Sequence, residues 1–381
     1  MKITQLFKDF SDSEKSGGIT LIACTIISMV LANSAFGNNY THFWHSILGE
    51  QTVEYWINDG LMTLFFLLIG LELEREIYIG ELSKIKNALL PIFGAFGGMM
   101  IPAGIYLLLN FGTSTQSGAG IPMATDIAFA LGILSLLGNK VPTSLKVFLT
   151  ALAVIDDLGA ILVIAIFYTK SIIWLNLVIA MGILIILFAL NRLKIRNLIP
   201  YLIGGIAMWY FMLNSGVHAT ITGVLLAFAI PFGNGDKKST SYILQHFLHK
   251  PVAFIILPLF ALANTAILVN TDFNDIISQK FSLGISLGLI IGKPIGIVLF
   301  SFLAVTFGIC KLPNDLNWKS IIGVGFLGGI GFTMSIFITL LAFDDFELQN
   351  NSKITILIAS IIAALIGFIL LHFSLKKLSK S

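Results

Sequence analysis

Long apolar stretches separated by short polar segments run through this sequence from near its beginning to its end. Each stretch is about 20 residues long, which is the length of a helix that crosses a lipid bilayer. No polar segment between them much exceeds about 20 residues, so a soluble catalytic domain has no room. Charges, glycines and prolines bound twelve stretches, which predict transmembrane spans 1 to 12 at 17–36, 58–80, 88–110, 121–138, 143–168, 172–190, 198–213, 217–232, 247–270, 282–309, 320–343 and 353–375.

The predicted fold is an all-α polytopic membrane protein in which residues 1–381 form a single integral membrane domain. Spans 4 and 8 are shorter than the about 20 residues of a full crossing, and Pro122 lies in span 4. These features indicate interrupted or tilted helices that are surrounded by protein rather than lipid.

The longest predicted external segment, residues 38–56, joins spans 1 and 2 and mixes aromatic with polar residues. It predicts a short hairpin outside the membrane. A plain interfacial loop with an aromatic belt is the alternative interpretation, because Trp and Tyr are enriched where a protein meets the lipid headgroups.

Lysine and arginine positions predict the orientation, because cytoplasmic loops carry an excess of them. With the amino terminus inside, every Lys and Arg falls in a cytoplasmic segment except Lys170, Lys280 and Lys353 on the other side and Lys293 within span 10. The pattern favours an even number of spans with both termini cytoplasmic, including the segments 1–16 and 376–381. A cleaved signal peptide at span 1 is disfavoured, because the leader before it is long and carries acidic residues.

Composition supports a membrane protein and argues against a soluble domain or a nucleic-acid-binding protein. The chain is 56% hydrophobic and 11% charged, whereas a soluble domain carries about a quarter charged residues. The net charge of +3 is spread over short loops and does not indicate nucleic-acid binding. Cys24 and Cys310 lie in or beside apolar runs, so they are interpreted as buried small hydrophobic residues.

Two glycine-rich strings interrupt the apolar pattern, at 118–122 in span 4 and at 325–333 in span 11. They take matching middle positions in spans 3–5 and 10–12, which predicts inverted-topology repeats with two interrupted helices that meet at a midplane site. We expect Asp126 to offset the positive amino-terminal ends of the half-helices and Lys293 the negative carboxyl-terminal ends. Gly94, Gly97 and Gly98 in span 3 resemble a helix-packing face.

Four ionisable residues lie away from the ends of predicted spans, in their middle parts: Asp126, Asp156, Asp157 and Lys293. Each costs about 2.5–3.5 kcal/mol at the centre of a membrane helix, so they indicate a functional site. Adjacent helical residues point about 100° apart, which suggests that Asp157 coordinates a cation with Asp126 while Asp156 pairs with Lys293. Hard cations and protons compete for carboxylate oxygens in a low dielectric, and this competition predicts antiport.

The alternative interpretation is purely structural. Asp156 and Lys293 would form an ion pair that holds two helices together, and the other carboxyls would be protonated links between helices. Three acids against one base leave two carboxyls without a cationic partner, which favours the functional interpretation for Asp126 and Asp157.

Several strings, in order along nearly the whole chain, resemble the bacterial sodium/proton antiporter A (NhaA) family. They are 58–62, 65–72, 124–132, 155–160, 215–220, 292–294 and 329–337. The resemblance implies that Asp157 and Asp126 are the Na+ and proton carboxylates, that Thr125 lies nearby, and that the pair of Asp156 with Lys293 breaks during transport.

The same resemblance implies an electrogenic Na+(Li+)/H+ antiporter of the inner membrane that expels sodium and is activated at alkaline pH. It implies no enzymatic activity, no cofactor, no nucleotide or nucleic-acid partner, and a homodimer joined through residues 38–56. The implied pH-response residues near the cytoplasmic side are Glu72, Arg75, Glu76, His218, His246 and His249. Glu74 and Gln245 depart from the family pattern, which has Lys and Glu there. Ordinary interface or loop histidines remain the alternative for the three His residues.

Three other functions are compatible with buried acids or a buried lysine: a passive cation channel, an intramembrane aspartyl protease, and a retinal-type pump with a Schiff base on Lys293. A channel would build its charges as rings in a symmetric oligomer. The protease would need the paired aspartates, but twelve spans are more than its chemistry requires. The string 288–294 has the wrong spacing for a phosphate loop, so nucleotide-driven transport is disfavoured.

Overall fold

A computed structural model describes residues 2–169, 171–268 and 273–378. Lys170, Met1 and residues 379–381 of the predicted cytoplasmic tail lie outside these ranges. The helices in the described ranges are α1 (Lys2–Ala32), α2 (Gly37–His45), α3 (Val53–Tyr55), α4 (Met62–Tyr78), α5 (Ile85–Asn110), α6 (Ile127–Leu136), α7 (Thr143–Phe167), α8 (Trp174–Arg192), α9 (Ile199–Leu213), α10 (Ile221–Ala229), α11 (Thr240–Pro251), α12 (Leu257–Asn264), α13 (Phe273–Ser278), α14 (Lys280–Leu287), α15 (Lys293–Thr306), α16 (Trp318–Gly328), α17 (Phe332–Ala342) and α18 (Phe346–Leu378).

Short irregular turns lengthen several of these helices. Tighter 3-10 turns occupy Glu81–Ser83, Gln116–Met123 and Gly138–Lys140. Wider π turns occupy Trp56–Leu61, Val252–Ile256 and Gly288–Gly292, where they join α3 to α4, α11 to α12 and α14 to α15.

Eight continuous helical stretches of the described chain are long and apolar enough to cross a membrane. Two further candidates are bent pairs: residues 16–32 with α2, at 115°, and α16 with α17, at 44°. The chain is therefore an all-α polytopic membrane protein, as the apolar pattern predicts.

Both glycine-rich strings coincide with breaks in helices. The 3-10 turn Gln116–Met123 is followed by extended backbone at Ala124 and Asp126, after which α6 begins. In the second break, α16 ends at Gly328 and α17 begins at Phe332. The two breaks contact each other, because Asp126 N donates to Ile330 O at 2.6 Å.

The segment 38–56 is partly a hairpin. Strands β1 (Ile47–Leu48) and β2 (Gln51–Thr52) pair antiparallel, and Gly49 supplies the positive φ of +73° that the turn requires. The Trp56 indole donates to Leu48 O at 2.8 Å and ties the turn to the following helix. Residues 38–45 are helical in α2, so the hairpin occupies only the second half of the predicted segment.

Glycines of α5 pack directly on α15. A Cβ added at Gly97 would lie 2.2 Å from the Gly296 carbonyl oxygen, and one added at Gly296 would lie 2.1 Å from that of Gly97. Beside them, a Cβ at Gly98 would meet Ile297 at 2.8 Å and Lys293 Cε at 3.7 Å. The predicted packing face is therefore confirmed, and it seats the helix that carries Lys293.

Lys353 lies inside a helix that begins earlier than the apolar pattern predicts. The sequence pattern put it at the outer edge of a span, but α18 begins at Phe346 and contains it. Its side chain is buried, and Nζ lies 3.7 Å from Glu54 Oε1. His45 Nδ1 lies 3.2 Å from the other oxygen of Glu54. A distant carboxylate thus compensates the charge that a hydropathy pattern treats as a boundary.

Candidate functional site

A single carboxylate caps two helices where the breaks meet. Asp126 is the N-cap of α6, and its Oδ1 accepts from Phe129 N at 2.9 Å. Its other oxygen accepts from Thr333 N at 3.0 Å, in the first turn of α17, and from the Thr333 hydroxyl. Free N–H groups at a helix start carry partial positive charge, so an anion is stabilised there.

The carboxyl-terminal ends of the half-helices, where carbonyl groups are free, accept hydrogen bonds from side chains. Lys293 Nζ donates to the carbonyl of Met123, the last residue of the 3-10 turn. The Thr125 hydroxyl lies 2.8 Å from the carbonyl of Gly328, the last residue of α16. These contacts confirm the predicted placement of Asp126 at amino-terminal ends and of Lys293 at a carboxyl-terminal end.

Asp156 and Lys293 are in contact, as predicted. Lys293 Nζ lies 2.7 Å from Asp156 Oδ2, and neither side chain is exposed. The Thr125 hydroxyl lies 2.7 Å from the same carboxylate oxygen. Because a hydroxyl has one proton, Thr125 can donate either to Asp156 or to the Gly328 carbonyl, but not to both at once.

Asp157 has a different environment from its neighbour. It is 2% exposed, and its Oδ1 has no hydrogen-bond partner within the described ranges. It lies within electrostatic reach of Asp126, Asp156 and Glu72, whose negative charges repel its own. Lys293 also acts on it, but this lysine contacts Asp156. No Lys, Arg or His among the described residues forms a salt bridge with Asp157, so its burial is not compensated by a cation in contact with it.

Asp156 also keeps one oxygen free. Its Oδ1, like the Oδ1 of Asp157, has no hydrogen-bond partner in the described part of the chain. Carboxylate oxygens are ligands that hard cations take. No cluster of three or more His, Cys, Asp or Glu side chains that could hold a metal ion occurs among the described residues.

Sequence comparison assigns the chain to a family. The model of the family described as Na+/H+ antiporter 1 matches residues 8–371. The chain belongs to the Na+/H+ antiporter 1 family. It is 73% identical over 376 residues to a protein named Na+/H+ antiporter NhaA from Flavobacterium psychrophilum, covering 99% of this chain and 98% of that one. Relatives of the same name from Cytophaga hutchinsonii and Aliivibrio salmonicida are 63% and 48% identical, covering 99% and 98% of this chain and 97% and 99% of their own.

In this member of the Na+/H+ antiporter 1 family, most of the residues that the resemblance links to pH response lie on α4 and α11, where the two helices contact each other. Glu72 Oε1 lies 3.9 Å from His249 Nδ1. Arg75 lies over the Tyr242 ring at 4.9 Å, and its Nη1 donates to Gln245 at 3.4 Å. The charge of Glu72 also acts on Asp157, more weakly than the charges of Asp156 and Asp126 do.

Of the other residues that the resemblance links to pH response, two lie near this contact and one does not. The ring of His246 stacks on the Tyr242 ring at 6.0 Å. Glu76 accepts from Glu81 N at 3.0 Å, at the end of α4. His218 is elsewhere: its Nε2 lies 2.9 Å from the Tyr168 carbonyl, just past α7. His218 therefore lies apart from the other five residues, because the loop before α10 packs against the far end of α7.

Glu74, which departs from the family pattern, points at a different part of α11. It is 4% exposed, and the Ser241 hydroxyl donates to its Oε2 at 3.4 Å. Since Ser241 is two turns before His249, the extra carboxyl does not join the contact of Glu72 with that histidine.

Sequence reasoning missed three hydroxyl residues around the breaks. Thr333 binds Asp126, Ser335 donates to Ile121 O at 2.7 Å, and Ser360 accepts from Phe332 N at 3.2 Å. A signal for the first two exists, because hydroxyls directly after a glycine-rich break are placed to cap a new helix. Nothing local marks Ser360, which lies in the middle of the uninterrupted α18.

Proposed function

We propose that this protein is a Na+/H+ antiporter in which Asp157, together with Asp126, takes up either Na+ or protons. The observation that carries the proposal is the state of Asp157, which is buried, lacks a hydrogen bond to Oδ1 and is surrounded by other acids. An uncompensated buried carboxylate is unfavourable, so it holds one cation or the other when the site closes. Family membership supports the same conclusion.

Competition at these oxygens makes the exchange obligatory. A proton on Asp157 removes the charge that attracts Na+, and Na+ on the carboxylate excludes the proton. With Na+ or a proton bound, the site can switch between opening to one face of the membrane and opening to the other. The empty, charged site cannot make this switch. This coupling separates an antiporter from an enzyme or a passive channel, and the protein needs no cofactor.

Asp156 and Lys293 form the second part of the proposed site. The free Oδ1 of Asp156 lies on the carboxylate whose other oxygen contacts Lys293. We propose that Na+ at Asp157 attracts this carboxylate, weakens its pair with Lys293 and draws Thr125 toward the Gly328 carbonyl. Breaking and re-forming the pair would then accompany each transport cycle.

Electrogenic exchange follows if more protons enter than Na+ ions leave. A membrane potential of 100 mV is worth about 2.3 kcal/mol for each net charge moved. That free energy allows sodium or lithium to be expelled against a gradient. Three acids around a single lysine provide enough titratable groups for more than one proton.

The proposed architecture has twelve spans. The ten candidates that meet the length and composition of a membrane helix correspond to ten of the predicted spans, and the shorter apolar helices α9 and α10 occupy the positions of spans 7 and 8. We propose that residues 1–381 form one inner-membrane domain with inverted repeats in spans 3–5 and 10–12. The segments 1–16 and 376–381 would be cytoplasmic.

We propose alkaline activation through the region between α4 and α11, and a homodimer through residues 38–56. The contact of Glu72 with His249, next to the charges that act on Asp157, supports a link between protonation there and transport. The exposed Ile47 and Leu48 of the hairpin supply an apolar surface for a second copy.

The test uses purified protein in proteoliposomes with an imposed proton gradient. Adding Na+ should collapse the gradient in the wild type, and Asp157→Asn and Asp126→Asn should abolish this response. Asp275→Asn, which changes an exposed carboxylate of α13, is the matched control and should exchange normally. Normal exchange by both site variants would contradict the assignment, and Na+ flux without proton movement would indicate a channel.

A further inference from the structure

Two neighbouring N–H groups at the start of α17 have different acceptors. Phe332 N donates to the Ser360 hydroxyl oxygen at 3.2 Å, and Thr333 N donates to Asp126 Oδ2 at 3.0 Å. Phe332, Thr333 and Asp126 are each at most 2% exposed, so water does not serve these donors. The amino terminus of α17 is therefore shared between a neutral hydroxyl and a carboxylate of the proposed ion site.

Ser360 comes from a third helix, which packs along both halves of the broken span. α18 packs against α16 so closely that a Cβ at Gly367 would lie 2.9 Å from Leu327 and 3.1 Å from the Gly323 carbonyl. Ser360 itself is 2% exposed. Two helical turns earlier on α18, Lys353 is paired with Glu54. The hydroxyl is therefore presented from a fixed helix and does not depend on a mobile loop.

Because the two N–H groups have different acceptors, the electrostatic potential that the start of α17 exerts on Asp126 depends on Ser360. Free N–H groups at a helix start create positive potential, which holds an anion and repels a cation. The Ser360 oxygen neutralises part of that potential. Without it, the Phe332 N–H would be left unsatisfied beside the carboxylate that already binds the next N–H. That change would hold Asp126 more firmly on α17 and disfavour Na+ close by.

We propose that Ser360 is a positioning residue for the cation site: by accepting from Phe332 N, it limits the hold of α17 on Asp126 and so raises the affinity for Na+. The proposal rests on the function proposed above. It concerns a residue that touches neither Na+ nor the reacting carboxylates, and it predicts a change in affinity rather than in turnover.

The experiment measures the exchange rate against Na+ concentration in proteoliposomes for Ser360→Ala and Ser360→Thr. Ser360→Ala should raise the apparent KM for Na+ about three- to tenfold, the range that one buried hydrogen bond is worth. Its maximal rate should stay within about twofold of the wild type. Ser360→Thr keeps the hydroxyl oxygen and should restore the wild-type KM.

Ser352→Ala is the matched control. This serine lies on the same helix and is fully buried, and its hydroxyl has no hydrogen-bond partner in the described chain. We expect its KM to equal that of the wild type. If loss of any buried hydroxyl from α18 were the cause, Ser352→Ala would raise KM as much as Ser360→Ala, and that result would overturn the proposal.

An unchanged KM in Ser360→Ala, with wild-type exchange intact, would refute the role of Ser360 and leave the antiport function standing. Absence of coupled exchange in the wild type would instead refute the proposed function. If Ser360→Ala does not fold, Ser360→Cys is measured in its place, because a thiol is a weaker acceptor. Its KM should also rise, and a wild-type value would overturn the inference.

Discussion

Replacing Lys293 by methionine should leave Asp156 as a buried carboxylate without its positive partner. The ammonium lies 2.7 Å from Asp156 Oδ2, and neither side chain is exposed. Removing one member of a buried pair costs about 3–5 kcal/mol of folding free energy, because the remaining charge stays desolvated. The same ammonium donates to the Met123 carbonyl. That contact disappears in the same substitution, so we expect a loss toward the upper end of the range.

The assay is a double-mutant cycle of wild type, Lys293→Met, Asp156→Asn and the double variant, with the free energy of unfolding measured in detergent. The double variant has no charge left to desolvate, so we expect it to be more stable than Lys293→Met by about 2 kcal/mol or more. Thr125 can still donate to the amide oxygen at position 156, which keeps the geometry of the site.

Strict additivity would refute the reasoning. If the double variant loses the sum of the two single losses, the charges of Asp156 and Lys293 do not stabilise each other. The 2.7 Å contact would then carry no net interaction free energy. A coupling of at least about 1 kcal/mol is needed to support an ion pair in this position.

Two further predictions follow from contacts away from the ion site. Gly97→Ala should displace α5 from α15 and strongly reduce exchange, since its Cβ would lie 2.2 Å from a backbone oxygen, whereas Gly104→Ala on the same helix has open space and should exchange normally. Glu54→Gln should lower the free energy of unfolding by about 3–5 kcal/mol, because Lys353 stays buried without a carboxylate. Thermal unfolding in detergent measures this loss, with the exposed Glu50→Gln as control.

Each of these predictions has a contrary outcome. Equal exchange rates for Gly97→Ala and Gly104→Ala would show that the close approach of α5 to α15 tolerates a methyl group. For the pair of Glu54 in α3 with Lys353, a Glu54→Gln variant as stable as Glu50→Gln would mean that the pair contributes nothing to folding.

Local patterns in the sequence were enough for the class of the protein and for the buried charged residues that lie at the helix breaks. The free energy of placing an apolar or ionisable side chain in lipid depends mainly on the residue type. Apolar runs and isolated charges can therefore be recognised from each segment of the sequence alone. Asp126, Asp156, Asp157 and Lys293 stand out for this reason. The two helix breaks are also local, because glycine and proline weaken a helix wherever they occur.

Partners, in contrast, depend on how distant segments pack. The hydrogen bond of Thr333 to Asp126 joins residues that are 207 positions apart. The hydrophobic periodicity of the two segments does not predict this contact. Ser360 resembles an ordinary helix residue in the sequence, and only the structure shows that the first N–H of α17 donates to it. Lys353 shows the same limit, since a lysine marks the edge of an apolar run unless a carboxylate from elsewhere compensates it. Electrostatic and hydrogen-bond free energies fall steeply with distance in space, and distance along the chain does not determine them.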